Sequence, residues 1–514
     1  MKIMEEQKID NIVARQKDED AIIIGLGSWK YRFIEWVFIK LVSVFRISML
    51  ITLCFFSLNI CSGQSTNILF VFIDDMGYGD LGCYGNPEVR TPHIDLLADE
   101  GIRFNQFYVN SPICSPSRTA VITGHYPSRW GITSYISSRE QNKSRGIRDY
   151  LDLKAPSIGR SFQKAGYYTA HIGKWHLGGG RDVADVPLIE EYGFDESVTQ
   201  FEGLGERYLA TYETLNHLKD STRGLEKMSA DLGRGEVHWE KRENFTRVFV
   251  DRTIVAIENA RRESKPFYIN LWPDDIHTPL EPPASLRGDL SVKSRFLGVM
   301  EEMDRQMGRL FKYIRNEPDL ANNTLIVFTS DNGPDKNVNK AGDLKGYKTQ
   351  LYEGGIKEPF IVWWPGVISK DKRGTINKNS VIAGVDLPLT FMQVGSVDPP
   401  KGISYDGENM FDVISGESTR SRWKPLFWIR PPDRPGYDGD NDPDLAIRKG
   451  DFKLLMDVDG SNMQLYNISE DPGESSNLAT TDPEIADELR QELLHWYVDY
   501  PHDIDKSIYK KGTK

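Results

Sequence analysis

Four short apolar runs stand out along the chain, at residues 68–73, 168–172, 267–272 and 324–329. They are hydrophobic, aromatic or β-branched at nearly every position, as strands buried on both faces of a parallel sheet are, rather than alternating like strands wetted on one side. Between them the period lengthens. Residues 93–101, 155–166, 247–263 and 296–316 carry apolar side chains at helical spacing, and 381–394 continues that pattern. The order strand, helix, strand predicts an α/β fold whose mostly parallel or mixed sheet is sandwiched by helices. Ligands in such folds sit beyond the carboxyl ends of the strands. Here those ends turn abruptly polar, into Asp74-Asp75, Lys174-Trp175-His176, the loop bearing His277, and Asp331-Asn332-Gly333.

After Pro365 the pattern changes. Residues 423–428, 445–447, 452–456 and 464–466 predict short strands of a small antiparallel sheet, and 482–499 predicts one amphipathic helix with Pro483 near its start and Ile485, Leu489, Leu493 and Trp496 on one face. The Gly-, Asp- and Pro-rich stretch 436–444 predicts a surface loop at the mouth of the site. Near the other end, basic Lys40 and Arg46 precede an apolar run at 47–60, closed by Cys61-Ser62-Gly63-Gln64. That is the layout of a secretory signal, and the run is short for a membrane span. Cys61 offers lipidation as an alternative end. The expected division is therefore an extension with signal at 1–63, a large domain at 64–420 and a C-terminal α+β subdomain at 421–514.

Composition narrows the classes of function. Of 514 residues, 39% are hydrophobic and 27% charged, which is an ordinary soluble balance. The net charge of −12, with no long basic run, argues against nucleic acid as partner and requires that any acidic substrate be held by local cations. Cleavage after Gly63 leaves Cys83 and Cys114, too few for a disulfide framework once one is given to chemistry.

The chemistry centres on Cys114-Ser115-Pro116-Ser117-Arg118. Ser115 as N-cap, Pro116 at the first helical position and Gly124 as terminator would present Cys114 at a helix N-terminus, with Arg118 one turn on as a fixed cation. These five residues alone leave a buried structural cysteine open. Asp74, Asp75, Asp331 and Asn332 offer only oxygen donors, which selects a hard cation, Ca²⁺ before Mg²⁺, over zinc. His176 and His277 draw attention because each of these two, among only nine histidines, follows an apolar run. His93 is expected to be structural, and His125 or Arg129 to orient Arg118 or Cys114 from behind.

The C-x-P-x-R stretch with Thr123-Gly124, together with Asp74-Asp75-Met76-Gly77-Tyr78-Gly79-Asp80, Gly173-Lys174-Trp175-His176-Leu177-Gly178, His277-Thr278-Pro279, Asp331-Asn332-Gly333 and Lys348 ahead of Tyr352-Glu353-Gly354-Gly355, resembles the formylglycine-dependent sulfatases of the alkaline phosphatase-like superfamily. The resemblance runs in family order from about residue 67 to 497 and makes 64–420 a catalytic domain. It implies that a maturation enzyme oxidises Cys114 to formylglycine, that the hydrate attacks sulfur to give a covalent sulfate, and that calcium is held by Asp74, Asp75, residue 114, Asp331 and Asn332. It further implies that Arg118, Lys174 and Lys348 stabilise negative charge, that His176 is the base regenerating the aldehyde, and that His277 with Lys348 protonates the departing alcohol. The expected activity is an exported, periplasmic or secreted, sulfuric ester hydrolase acting on a sulfated carbohydrate, without a stable membrane span after cleavage. A phosphonate or phosphate ester hydrolase of the same fold, and a non-catalytic binder of sulfated glycans, are the alternatives.

Overall fold

The computed structural model describes residues 65–213, 222–432 and 442–506, so the expected leader at 1–63 and residues 436–441 of the expected mouth loop lie outside the described residues. In chain order the first strands are β1 (Asn67–Ile73), β2 (Ile102–Tyr108), β3 (Tyr168–Gly173), β4 (Glu196–Val198), β5 (Arg207–Thr211) and β6 (Val237–Lys241). There follow β7 (Phe267–Trp272), β8 (Thr324–Ser330), β9 (Lys357–Trp363), β10 (Thr375–Asn377) and β11 (Ile382–Ala383). The main sheet is ordered β10-β2-β9-β8-β1-β7-β3-β4, with β11 also on β2. The four strands expected from the sequence lie side by side as β8-β1-β7-β3, all parallel. β9 runs antiparallel to both β8 and β2, which makes the sheet mixed.

Strand β1 shows why such runs are apolar throughout. Ile68, Phe70 and Phe72 point into one core and Leu69, Val71 and Ile73 into another, each at most 1% exposed. Full burial of such a side chain stabilises by roughly 1.5–3 kcal/mol, so a polar residue at any of these positions would be costly. The first core is covered by helices Cys114–Thr123, Ile158–Lys164 and Leu387–Val394, the second by Pro92–Glu100, Phe245–Arg262 and Val292–Asn316. Expected helix 155–166 shortens to Ile158–Lys164, and 381–394 begins as β11 before turning helical at Leu387, next to Pro388. A parallel pair, β5 with β6, was not expected.

Four further strands, β12 (Leu426–Ile429), β13 (Leu445–Lys449), β14 (Phe452–Met456) and β15 (Gln464–Asn467), form the small antiparallel sheet. Its residues alternate between two layers. Leu426, Trp428, Ala446 and Leu455 join the first core, while Ile447, Leu454, Met456 and Leu465 pack with Leu489 and Leu493 of helix Pro483–Asp499.

A buried charge cluster ties this sheet to the segment behind Lys348. Lys453 Nζ on β14 lies 3.0 Å from both Glu353 Oε1 and Glu474 Oε1, and all three side chains are fully buried. Glu353 also accepts from the Tyr108 hydroxyl at 2.6 Å, and its main-chain N–H donates to Glu474 Oε2 at 2.7 Å. Removing Lys453 would take the cation from Glu474 and leave Glu353 with the more distant Lys357, 3.6 Å away. Lys453→Met is therefore expected to destabilise the protein by about 3–5 kcal/mol in urea denaturation. A loss below about 1 kcal/mol would show that the cluster is electrostatically idle.

Candidate active site

The strand order alone gathers the expected residues. Asp331-Asn332, Asp74-Asp75, the His277 loop and Lys174-His176 follow β8, β1, β7 and β3, four adjacent strands pointing the same way. Backbone geometry then aims each one. Asp75 adopts a left-handed φ of 64°, which Asp tolerates better than most residues, and its N–H donates to Asp331 Oδ1 at 3.1 Å. Gly173 closes β3 with φ 111°, where a Cβ would lie 2.2 Å from the Trp272 carbonyl oxygen, so no other residue fits before Lys174.

Helix Cys114–Thr123 is capped differently from the sequence expectation. Ile113 is the N-cap and Cys114 the first helical residue, so Pro116 stands at the third position. Ser115 does not cap. Its hydroxyl instead accepts from the Ile136 N–H at 2.9 Å, tying the helix to the pocket wall. Gly124 does end the helix, at φ 68°. Main-chain bonds from Lys348 N–H to the Pro334 carbonyl (2.9 Å) and from Thr349 N–H to the Pro112 carbonyl (2.8 Å) draw the Lys348 segment between the Asn332 turn and the Cys114 helix.

At the centre lies Arg118, fully buried. Its Nη2 is 2.6 Å from Asp331 Oδ2 and 3.2 Å from Asp74 Oδ1, and its Nη1 donates to the Lys174 carbonyl at 2.8 Å. Its guanidinium carbon lies 5.2 Å from the centroid of the Trp272 ring. Lys174 Nζ donates to Asp74 Oδ2 at 2.7 Å and approaches Cys114 Sγ at 3.8 Å and Glu202 Oε2 at 3.1 Å. Lys348 Nζ contacts Asp75 at 2.6 Å, and Asn332 Nδ2 donates to Asp75 Oδ1 at 2.8 Å. Oxygen atoms of Asp74 and Asp75 and the Cys114 sulfur lie within 4.8 Å of one another.

Two of these buried carboxylates, Asp331 and Asp74, titrate far from their usual range, in opposite directions. Burial raises Asp331 well above it, and the neighbouring Asp74 charge adds to the rise against Arg118. Burial would raise Asp74 too, but Lys174, His277, Arg118 and Lys348 together hold it well below. Burial, and then Asp74, push the Cys114 thiol well up, so the unmodified side chain is a thiol rather than a thiolate. Asn332 Oδ1 is buried with no hydrogen-bond partner. An orphaned buried carbonyl oxygen beside Asp74 and Asp75, with Asp331 held next to them by Arg118 and the Asp75 N–H, is a donor set of oxygens that fits a hard cation.

The two histidines sit differently. His277 is 34% exposed in its side chain, with Nδ1 2.9 Å from the Thr278 carbonyl oxygen and Nε2 3.8 Å from Asp75 Oδ2. Burial within the pocket, and then the Lys174 cation, lower its pKa. The buried His176 ring, held at a left-handed φ of 54°, lies between Glu202 Oε2, 3.1 Å from Nδ1, and the Ile136 carbonyl oxygen, 2.9 Å from Nε2. Burial lowers its pKa to about 3, against the pull of Glu202. Among the described contacts Lys174, not His176, reaches the Cys114 sulfur.

Glu202 was not foreseen. It collects Lys174, His176 and Arg181 within 3.1 Å, yet it lies in the loop after the three-residue β4, where the sequence has no periodic signal. His93 is structural as expected, its N–H bonded to Asp304 and its ring packed over Gly308. The expected support from His125 and Arg129 does not occur. His125 Nε2 faces the Ser404 carbonyl and its ring stacks on Trp130, while Arg129 pairs with Asp406 and Tyr500, because the turn after Gly124 carries both toward the C-terminal segment.

Cys114, His176, His277 and Lys348 border one open pocket of about 240 Å³. The sulfatase family profile matches residues 66–397, and the profile of the N-sulphoglucosamine sulphohydrolase C-terminal region matches 346–499. The chain belongs to the sulfatase family. Canine N-acetylgalactosamine-6-sulfatase is 30% identical over 76% of this sulfatase and 71% of its own length. An N-acetylgalactosamine-6-O-sulfatase of Bacteroides thetaiotaomicron is 26% identical over 84% and 93%. The structure of PsFucS1 sulfatase from Pseudoalteromonas sp. superposes with a TM-score of 0.67 at 25% identity, over 87% of this chain and 94% of that one. The protein is accordingly a sulfuric ester hydrolase.

The cation site has a direct test. If a divalent cation occupies these residues, Asp331→Ala is expected to abolish its stoichiometric binding by calorimetry, and excess cation is not expected to restore it, because an oxygen ligand is gone. Full occupancy in the variant would remove Asp331 from the cage.

Proposed function

We propose that this sulfatase is exported and removes sulfate from a sulfated carbohydrate, using calcium and a formylglycine formed from Cys114. The observation that carries the reading is the position of Cys114: a buried, protonated thiol at the start of its helix, 3.8 Å from Lys174 Nζ and bordering the aspartate cage. A thiol so held is a poor nucleophile, and conversion to an aldehyde hydrate by a maturation enzyme would replace it with an oxygen nucleophile. Calcium bound by Asp74, Asp75, residue 114, Asp331 and Asn332 would supply Lewis acidity toward a sulfate oxygen and the nucleophile. The relatives named for galactosamine sulfates support a sugar substrate, and the basic-then-apolar stretch ending near Gly63 supports export to the periplasm or beyond. Residues 64–420 are assigned as the catalytic domain and 421–514 as its α+β subdomain. Among the described residues no helix is long and apolar enough to cross a membrane.

The chain's own groups divide the work. Lys174 and Lys348 face the reacting centre, where a preorganised donor is worth about 2.7–4 kcal/mol. Arg118 holds Asp74 and Asp331 in place and adds positive charge behind them. His277, with Nδ1 at a carbonyl oxygen and Nε2 3.8 Å from Asp75 Oδ2, is assigned the protonation of the leaving alcohol, with Lys348 beside it. His176, backed by Glu202, is assigned the later proton abstraction that frees sulfate and regenerates the aldehyde.

Protein matured with and without a formylglycine-generating enzyme tests the nucleophile. Mass spectrometry of the peptide containing residue 114 is expected to find aldehyde in active protein, and full activity with an intact thiol would overturn the reading. Matched sulfate and phosphate esters of one sugar are expected to favour sulfate in kcat/KM; the reverse preference would make the chain a phosphate ester hydrolase.

A sugar alcohol leaves poorly without a proton, whereas a nitrophenolate needs none. His277→Ala is thus expected to lose on the order of 10²–10⁴ in rate on a sulfated sugar and markedly less on an aryl sulfate. His176→Ala should retain sulfate on residue 114 with both substrates. Equal losses for His277→Ala on the two, or retained sulfate in that variant instead, would show the roles to be exchanged.

A further inference from the structure

Beyond the groups that surround the scissile sulfate, the same pocket carries two arginines that the reaction does not use. Arg181 and Arg223 line it together with Phe201, their guanidinium carbons 5.8 and 5.4 Å from the centroid of that ring. They come from separate segments, so the arrangement is a product of the fold. Each is anchored at one corner. Arg181 Nη2 bonds Glu202 Oε1 at 3.0 Å, and Arg223 Nε bonds Glu226 at 3.2 Å, while Arg223 also lies 5.6 Å from the Tyr212 ring. Anchoring by a carboxylate and an aromatic face fixes a planar guanidinium and leaves its other N–H groups to meet an oxyanion two at a time. The side chains are 16% and 25% exposed, neither sealed in the core nor splayed into solvent.

The backbone under Arg181 is bent to serve this position. Gly178, Gly179 and Gly180 have φ of 130°, 80° and 138°, and Arg181 itself is left-handed at 56°. A Cβ on Gly180 would lie 2.7 Å from the Phe201 carbonyl oxygen, so the turn must approach the Phe201 segment closely. Left-handed arginine is disfavoured, and such conformations persist where the surroundings hold a side chain at a site. The chain as a whole is strongly acidic, which makes two buttressed cations beyond Lys174 and Lys348 more than one sulfate ester requires.

We infer that Arg181 and Arg223 form a second anion subsite, which holds a further sulfate or a carboxylate on the sugar being desulfated or on its neighbour. The preferred substrate then carries two anionic groups, one cut and one read. This rests on the sulfated-carbohydrate reading and adds a specificity that the catalytic residues do not have. The cut sulfate sits at residue 114 and the read anion between the arginines, with Phe201 as the apolar floor for the sugar face between them.

The test compares kcat/KM of the matured enzyme for three sugars that share one cleavable sulfate: the monosulfated sugar, the same sugar with a second sulfate, and its disaccharide with a uronate. A simple aryl sulfate serves as the control. Wild type is expected to prefer one or both doubly anionic sugars by about 10- to 100-fold, the range of a charge-assisted contact. Arg223→Gln and Arg181→Gln should erase that preference through KM, with a smaller change on the monosulfated sugar, and Arg223→Lys should recover part of it. The second sulfate and the uronate arms identify which anion is read. No preference in wild type, or equal losses on mono- and doubly anionic sugars in the variants, would overturn the subsite while leaving the sulfated-carbohydrate reading intact. Turnover of the aryl sulfate with none of the three sugars cleaved would overturn that reading, and the subsite with it.

Discussion

The burial of Arg118 between Asp74 and Asp331 is the constraint on which the rest of this site depends. A fully buried guanidinium is tolerable only if its charge is met, and the two carboxylates that meet it come from the ends of adjacent strands β1 and β8. Those strands are held in register by Asn67 to Ile73 pairing with Thr324 to Ser330 along their whole length. Arg118 in turn reaches the Lys174 carbonyl beyond β3, so one side chain connects three of the four central strand ends with the helix that carries Cys114. Around this pair the charge is still not balanced. Asp75 and the neighbouring carboxylates draw in Lys174 and Lys348, and the unpartnered Asn332 oxygen completes a donor set that a cation would satisfy.

The same layout separates the functions of groups that look alike in sequence. Lys174 and Lys348 are both raised in pKa by carboxylates, against burial, and both remain cations. His176 and His277 both follow strands, yet one is enclosed between Glu202 and a carbonyl while the other borders the pocket with about a third of its side chain exposed.

The central sheet was legible because strands buried on both faces must be apolar throughout, and β1, β3, β7 and β8 obey that rule. Strands β2, β9 and β10 were not, since Arg103, Asn105, Lys357 and Glu358 interrupt their apolar character and their pairing is fixed only by the tertiary fold. The residues proposed as oxygen ligands and catalytic groups could be picked out because each stands directly after a strand or within a recognisable motif, and the structure brings them to neighbouring strand ends. Glu202, Arg181 and Arg223 were not legible, because they stand in segments whose positions are set by glycine turns and aromatic contacts rather than by any period. Ser115 illustrates a milder miss. Its type suits a cap, but the Ile136 N–H from a distant turn claims its hydroxyl first.

The proposal that these strand ends form one cage, complete only with a cation at residue 114, can be checked by direct observation. A crystal structure of the matured protein grown with calcium tests it most directly. One ion is expected, with oxygens of Asp74, Asp75, Asp331, Asn332 and residue 114 at about 2.3–2.6 Å, and Arg118 still seated between Asp74 and Asp331. An ion bound away from Asn332 and residue 114, or a fully active protein in which Asn332 Oδ1 remains without a partner, would contradict it.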